Sequence, residues 1–317
     1  MTIGIATVGP NAGLGLFKAL RAAERVGSGS IGGFATFAVI TADRRLIRSE
    51  TQRGGTTTLF LDGETTGVDP SGEIAAAPFA AVISSGPERP ELVKLLTADP
   101  EVGLVTGHRL PIQIGADGVP LNQQVLDLMR SGRTAQEAVD QVIAKNEERD
   151  AGLIAIDRDG NLYGRNTACV LRRKPDMVEF AQESPDGKAK IVIFYNAIRP
   201  QIVIAPLIAQ IAIDAMVGYP KPDGEILLPV DLPVVEGPEV AIFCDASGVA
   251  EYVTTHDRLA LTGTHVGCVM TYGCPVYFGG RLIGTGMFEV MTLTVDGVLK
   301  QMSGQPSVRV GIRRTAS

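Results

Sequence analysis

The alternation of apolar and polar residues is most regular between residues 122 and 170. Apolar side chains recur there at helical spacing in two successive stretches, which predicts two amphipathic helices. Thr134 precedes Glu137 by three residues, a spacing typical of the capping box that begins a helix. A nearly uninterrupted apolar strand follows at 153–156, and a second strand returns at 161–166 after a turn. Since a strand without polar alternation is covered on both faces, the pattern predicts a helix pair packed on a buried sheet.

The same criteria predict elements along the rest of the chain. In the first half they are strands at 3–8, 34–40, 45–50 and 56–61, helices at 14–26 and 90–96, a loop at 66–78, and one or two strands within 103–114, broken at Gly107 and Pro111. In the second half they are a strand at 191–195, an apolar helix at 200–217, an extended Pro-rich segment at 218–237, and strands at 240–244, 249–254, 259–261, 267–272, 276–278, 281–285 and 289–294.

This order of elements predicts an α+β fold, organised as a layered αββα-type sandwich with a β-rich C-terminal half. The polar segment ESPDGK at 183–188 is a Pro/Gly turn between two apolar blocks, which is typical of a domain boundary. We therefore predict a layered domain at 1–182 and a β-rich second half at 189–317. The second half is either a separate domain or part of the first.

Composition and charge exclude several classes of function. The 317 residues carry a net charge of −6 without a basic stripe and contain no Trp, which argues against nucleic-acid binding. No signal peptide is visible, and the most apolar run, 202–217, is interrupted by Pro206, Gln210 and Asp214. We therefore predict a buried helix there and no membrane span.

The four cysteines are too few and too scattered for a disulfide framework, so we expect a reduced, cytoplasmic protein. The apolar helix and the Pro-rich segment that follows it would be costly to leave exposed to water. This predicts a homo-oligomer in which the region packs internally or against a neighbouring subunit.

A family resemblance is carried by the run AGLIAIDRDGNLYGRNTACV at 151–170. It resembles the strand, DxxG turn and strand of asparaginase-like N-terminal-nucleophile (Ntn) hydrolases, and more closely an uncharacterised bacterial group of Ntn-type proteins. That group begins with a short apolar strand that opens on Thr or Ser, and Thr2 occupies the corresponding place in MTIGIATVG. One position departs from the asparaginase-like pattern, because Asp150 stands where the internal nucleophilic Thr would be. Self-cleavage there is not expected.

The resemblance implies an Ntn-like layered fold and hydrolysis of an amide bond, open-chain or cyclic, in a small molecule, without a metal or other cofactor. The hydroxyl of Thr2 would be the nucleophile and its own α-amine the base, once Met1 has been removed. Backbone N–H groups near Asn166 and Thr167 would stabilise the oxyanion. Arg53, with the adjacent Gly54 and Gly55, is expected to hold a substrate carboxylate.

A second pair of candidate substrate-binding residues is His108 and Arg109, which lie at the end of a predicted strand. They could polarise a substrate carbonyl or bind a carboxylate. The same residues could instead be structural, as an isolated His usually is.

Two alternatives remain open from the residues themselves. His256, His265, Cys268 and Cys274 lie within 19 residues of one another, although the chain has only three His and four Cys. They could hold zinc, or Cys268 or Cys274 could be a nucleophile paired with His265 or His256. A third hypothesis is a non-catalytic small-molecule-binding protein on an Ntn-like fold.

Overall fold

The computed structural model describes residues 2–173, 175–218, 221–302 and 304–315. The chain divides into two compact units, Met1–Tyr219 (unit 1) and Pro220–Ser317 (unit 2). Both strands and helices contribute to unit 1, and strands dominate unit 2, so the fold is mixed α+β. Among the residues described, no helix combines the length and the apolar character needed to cross a membrane.

Unit 1 contains two main sheets and the helices that cover them. Its strands are β1 (Thr2–Val8), β2 (Ala35–Ile40), β3 (Leu46–Thr51), β4 (Leu61–Asp62), β5 (Thr65–Thr66), β6 (Phe79–Ser84), β7 (Thr97–Asp99), β8 (Gly103–Arg109), β9 (Ala151–Asp157), β10 (Leu162–Asn166), β11 (Met177–Glu183) and β12 (Lys190–Asn196). Its helices are α1 (Ala12–Val26), α2 (Thr56–Leu59), α3 (Gly72–Ala75), α4 (Leu121–Arg130), α5 (Ala135–Lys145), α6 (Ala168–Leu171) and α7 (Gln201–Val217), with a 3-10 helix at Leu92–Leu95.

The larger sheet of unit 1 has six strands in the order β11-β12-β1-β6-β2-β3, and the smaller one has four in the order β10-β9-β8-β7. Neighbouring strands are antiparallel throughout both sheets. Strand β1 is therefore central, with β12 and β6 on its two sides. This position places Thr2 opposite Asn196 at one end of the sheet.

Both sheets are covered on both faces at their inner strands, which explains why β1, β2, β6, β8, β9 and β12 are mostly apolar and buried. On β1, Ile3 and Ile5 pack with α1 and α7, whereas Ala6 faces the other sheet, as the two-residue period of a strand requires. The inner faces of the two sheets share an apolar cluster that includes Ile83 and Ile154. Helices α4 and α5 cover the outer face of the four-stranded sheet.

Glycine allows the two sheets to approach closely. A Cβ atom on Gly4 of β1 would overlap the carbonyl oxygen of Gly107 on β8. Strand β8 runs through Gly107 without interruption, so the predicted break there is wrong. Gly107 is needed because a Cβ atom there would overlap the carbonyl oxygen of Gly152 on β9, and not because the chain turns at this position.

The predicted domain boundary at 183–188 is corrected by the strand pairing. Strands β11 and β12 form an antiparallel pair, with Glu183 opposite Lys190, so the segment between them is a hairpin turn inside one sheet. The division between units lies instead between residues 219 and 220. A polar Pro/Gly turn looks the same in sequence whether it joins two domains or two strands.

Several local predictions are confirmed. Helices α4 and α5 form where the apolar period indicated, and Thr134 and Glu137 make both hydrogen bonds of the capping box. Helix α7 forms as predicted and packs on α1. Its buried positions include Ile204 and Ile208.

Other local predictions are wrong. Residues 56–61, predicted as a strand, begin with the single helical turn α2, and 90–96 contains only the 3-10 turn. The predicted loop at 66–78 includes the short helix α3.

Unit 2 is rich in strands, as predicted. They are β13 (Gly224–Leu228), β14 (Leu232–Glu236), β15 (Ala241–Cys244), β16 (Ala250–Thr255), β17 (Thr264–Gly267), β18 (Pro275–Phe278), β19 (Arg281–Gly286), β20 (Thr292–Val295), β21 (Val298–Met302) and β22 (Val308–Arg314), joined in one ten-stranded sheet. A 3-10 turn at Arg258–Ala260 lies where a strand was predicted at 259–261, and the strand predicted at 267–272 is observed instead at Thr264–Gly267. The apolar core of unit 2 includes Ile242, Val253 and Val276.

Candidate functional site

A cluster of buried polar side chains lies in unit 1 where the two sheets face each other. Thr2 begins β1 and Asn196 ends β12, while His108 and Asn166 lie at the ends of β8 and β10. All four are at least nine-tenths buried. The sequence predicted three of them, and antiparallel pairing brings their strand ends together.

Thr2 is held by three hydrogen bonds. Its backbone N–H and its hydroxyl both donate to Oδ1 of Asn196, at 3.0 and 3.1 Å. The backbone N–H of Arg109 donates to the hydroxyl oxygen at 2.6 Å. The hydroxyl is therefore fixed in one orientation at the beginning of the central strand.

Arg109 connects Thr2 to Asp150, through its backbone N–H on one side and its guanidinium group on the other. Its φ of 65° is unusual for a residue with a side chain, and such strained positions are concentrated at functional sites. Its guanidinium group makes two hydrogen bonds to the Asp150 carboxylate, at 3.0 and 2.6 Å, and Arg173 approaches the same carboxylate at 3.3 Å. The predicted carboxylate-binding fork of Arg109 thus already holds an internal carboxylate.

The charge of Asp150 is maintained by these arginines. Burial acts to raise the pKa of Asp150, but the hydrogen bond and the charge of Arg109, with that of Arg173, outweigh it and the pKa is lowered. Asp150 stays ionised at neutral pH. It anchors the strained backbone that presents the Arg109 N–H to Thr2.

His108 is completely buried. Its Nε2 lies 2.6 Å from Oδ1 of Asn166, and the amide nitrogen of Asn166 donates to the carboxylate of Glu179. The ring meets Phe194 edge to face, with 5.7 Å between ring centroids. Burial lowers the pKa of His108 to about 4, so the imidazole is neutral at pH 7.

Gly152 provides the space for the contact between the side chains of His108 and Asn166. It lies on β9 directly between His108 and Asn166, and a Cβ atom there would overlap both side chains. Because Gly152 lacks a side chain, His108 reaches across the middle strand to Asn166.

The prediction for Thr167 is wrong. Its backbone N–H donates to the Ala151 carbonyl, so it does not provide an oxyanion donor. Its hydroxyl donates to the carbonyl of Arg149 and accepts from the N–H of Val170, which makes Thr167 the N-cap of α6. Asn166 belongs to the cluster, but through its side chain rather than its backbone.

The predicted anion seat at Arg53, Gly54 and Gly55 is occupied by the protein itself. The carboxylate of Glu24 accepts hydrogen bonds from the N–H and the hydroxyl of Thr56, and a Cβ atom on Gly55 would overlap it. Burial, opposed by these hydrogen bonds, raises the pKa of Glu24. Arg53 pairs with Glu88 at the surface, where its side chain is 84% exposed. The prediction that this loop holds a substrate carboxylate is therefore not supported by its contacts.

The described Cys and His residues of unit 2 show no metal-binding arrangement. Cys268 is exposed and its sulfur lies 3.9 Å from that of Met291, while burial raises the pKa of Cys274 to about 11. The ring of His265 lies beside Gly267 on the same strand. Among the residues that the structure describes, no three His, Cys, Asp or Glu side chains converge to hold a metal ion.

Asn196 and Glu179 belong to the cluster but were not predicted from the sequence. Asn196 directly follows the apolar strand predicted at 191–195, so it carries the same signal as Asn166, a polar residue at a strand end. Glu179 carries no such signal, because it is one of several polar residues on an edge strand.

Two protein-family models match the chain. The model described as Domain of unknown function (DUF6963) matches residues 2–225, and the one described as Domain of unknown function (DUF7259) matches residues 231–307. The first match spans the whole polar cluster. No curated protein matches the chain.

Proposed function

We propose, for this chain that belongs to the DUF6963 family, that unit 1 hydrolyses an amide bond of a small molecule with Thr2 as the nucleophile. The observation that carries the proposal is the setting of the Thr2 hydroxyl. It lies at the beginning of a central strand, accepts the Arg109 N–H, and shares Oδ1 of Asn196 with its own backbone nitrogen.

The arrangement of layers supports an Ntn-like architecture for unit 1. Helices α1 and α7, the six-stranded sheet, the four-stranded sheet, and helices α4 and α5 follow one another, which is the order of an αββα sandwich. The Ntn resemblance of residues 151–170 and the place of Thr2 on β1 agree with this interpretation. Fold alone does not determine function, so the proposal depends on the site.

The proposed reaction begins with removal of Met1, which leaves Thr2 with a free α-amine. This amine has a reference pKa of roughly 7.7–8.0, suitable for a general base at neutral pH. It takes the proton from the Thr2 hydroxyl while Oγ1 attacks the substrate carbonyl carbon. The proton then passes to the departing nitrogen as the C–N bond breaks. Water hydrolyses the resulting ester of Thr2, so the products are a carboxylic acid and an amine.

Neighbouring residues orient Thr2 in this scheme. Asn196 holds the amine and the hydroxyl together through one oxygen atom, which keeps the base next to the nucleophile. The Arg109 N–H fixes the direction of the hydroxyl oxygen, and Asp150 secures Arg109. These are positioning roles, because none of the three residues needs to exchange a proton.

We expect substitution of Thr2 to abolish hydrolysis. Protein purified without a tag is first examined by intact mass spectrometry, and the expected mass lacks one methionine. It is then tested on asparagine, glutamine, their N-acyl derivatives and small lactams, with release of amine or ammonia as the readout. For a substrate that is turned over, Thr2→Ala should lower kcat by at least about a thousandfold, as loss of a nucleophile does.

Thr2→Ser is the matched control, because it keeps a hydroxyl and permits removal of Met1. It should retain measurable turnover. A protein that retains Met1, or a Thr2→Ala variant with undiminished turnover, would contradict the proposal.

A further inference from the structure

One polar atom of the cluster lacks a partner. Nδ1 of His108 is fully buried and makes no hydrogen bond with any described residue. Buried polar atoms in folded proteins almost always have a partner, so an exception at a candidate site requires an explanation. The other nitrogen of the ring is already used by Asn166.

The contacts of Asn166 determine which nitrogen of His108 carries the proton. The Glu179 carboxylate can only accept, so Asn166 directs its NH2 group toward Glu179. Its carbonyl oxygen is then left for His108 and can only accept. Nε2 of His108 must therefore be protonated, and Nδ1 of the neutral ring is an acceptor.

The nearby donors are already committed. The N–H and hydroxyl of Thr2 both donate to Asn196, and the Arg109 N–H donates to Thr2. The guanidinium group of Arg109 is bound to Asp150. Thus none of these groups supplies a hydrogen bond to Nδ1.

We propose that Nδ1 of His108 is the acceptor for an N–H of the ligand, so that the site takes primary and secondary carboxamides in preference to the matching esters. This inference rests on the proposed function. An ester carries an oxygen with lone pairs where the carboxamide carries N–H, and would place two acceptors against each other. Glu179 and Asn166 act as positioning residues, because they hold the ring in the tautomer that this recognition requires.

The tautomer is tested first, by nitrogen NMR of protein labelled with ¹⁵N in its histidine rings. In the wild type, Nε2 of His108 should carry the proton at neutral pH. Glu179→Lys replaces an acceptor with a donor at an exposed position. The side-chain amide of Asn166 should then flip so that its NH2 group faces Nε2 of His108, and the ring proton of His108 should move to Nδ1. Glu183→Lys, on the same strand, is the control and should leave His108 unchanged. An unchanged tautomer in Glu179→Lys, or an Nδ1 proton in the wild type, would overturn the proposal.

Ligand preference is tested with asparagine and aspartate β-methyl ester, which differ only in the group that would meet Nδ1. Asparagine should shift the Nδ1 resonance of His108 and the ester should not. If both compounds are hydrolysed, kcat/KM should favour the amide in the wild type, and His108→Gln should reduce this preference by about tenfold, the typical effect of one hydrogen bond.

The two hypotheses can fail separately. Turnover of both compounds without a shift of Nδ1 would refute the carboxamide preference and leave Thr2 as the nucleophile. A shift of Nδ1 with asparagine, without turnover of any amide, would refute the hydrolase and leave a carboxamide-binding site. Neither a shift nor turnover with these probes would count against both.

Discussion

At the scale of single residues, His108 illustrates how burial controls protonation. The ring is 0% exposed and its pKa is lowered to about 4, whereas an ordinary histidine has a pKa of 6.5. Its one polar partner is an amide and not a carboxylate, so no negative charge at hydrogen-bond distance compensates for the loss of water. The fold thus keeps a neutral imidazole in the candidate site.

This shift predicts how stability depends on pH. The pKa of His108 is lower in the folded than in the unfolded state, so the unfolded state takes up the proton first as the pH falls below about 6.5. Stability is therefore lost between pH 6.5 and 4. We expect a loss of about 2 kcal/mol between pH 7 and pH 5 from this residue alone. Urea unfolding at the two pH values measures it.

His108→Gln is the comparison for that experiment, since glutamine does not titrate. Its stability at pH 7 will differ from that of the wild type, but its change between pH 7 and pH 5 should be smaller by the stated amount. His256 and His265 are present in both proteins and cancel. Equal changes in the two proteins would show that His108 is not held neutral.

At the scale of elements, the packing of β1 on β8 depends on residues without side chains. Gly4 faces the carbonyl of Gly107, and Gly152 leaves room for the contact between His108 and Asn166. The apolar residues of the inner faces, such as Ala6 and Leu104, then fill the space between the sheets. A side chain on Gly4 would separate the sheets close to Thr2.

We therefore expect Gly4→Ala to destabilise the protein by about 3 kcal/mol, at the upper end of what overpacking costs, because the added methyl group meets backbone that cannot move aside. Gly72→Ala is the matched control, since a Cβ atom on Gly72 of α3 has nothing within 4 Å. That variant should be at least as stable as the wild type. Midpoints of urea unfolding for both variants decide the matter, and equal midpoints would exclude the close contact.

At the scale of the whole molecule, the boundary between the two units determines which part of the chain carries the candidate site. Thr2, His108, Asn166 and Asn196 all belong to unit 1, and the last of them lies beyond the boundary predicted from sequence. The homo-oligomer and the cytoplasmic location stay predictions. Val203 and Leu207 on α7 are partly exposed at 64% and 43%, and light scattering after size-exclusion chromatography would test whether a neighbouring subunit covers them.

Truncation distinguishes the two boundaries. A fragment of residues 1–219 should fold cooperatively, because it keeps both sheets of unit 1 and α7. A fragment of residues 1–182 should not, because it lacks β12, which pairs with the central strand β1, and also α7. Circular dichroism during thermal unfolding measures both. Cooperative unfolding of the shorter fragment would restore the boundary that the sequence predicted.

The sequence by itself determined the elements whose stabilising contacts are local. The capping box of α5 joins residues three apart, and the apolar period of α4 and α5 is visible in one stretch of chain. The turn at 56–59 was missed because its first residue is capped by Glu24, which lies 32 residues earlier. The edge strand β11 was missed because three of its seven residues are polar and none of the seven is fully buried, so it lacks the apolar run that indicates a core strand.

Only the tertiary structure decided the site. Thr2 and Asn196 are 194 residues apart in the chain, and they meet because β1 and β12 pair antiparallel in one register. His108 reaches Asn166 only because the strand between them has a glycine at that position. Polar residues at strand ends could be identified from the sequence as candidate site residues, because the end of a strand is visible in the local pattern. Which ends meet, and which side chains lose water there, depends on the order of strands in the sheets and on how closely the sheets pack.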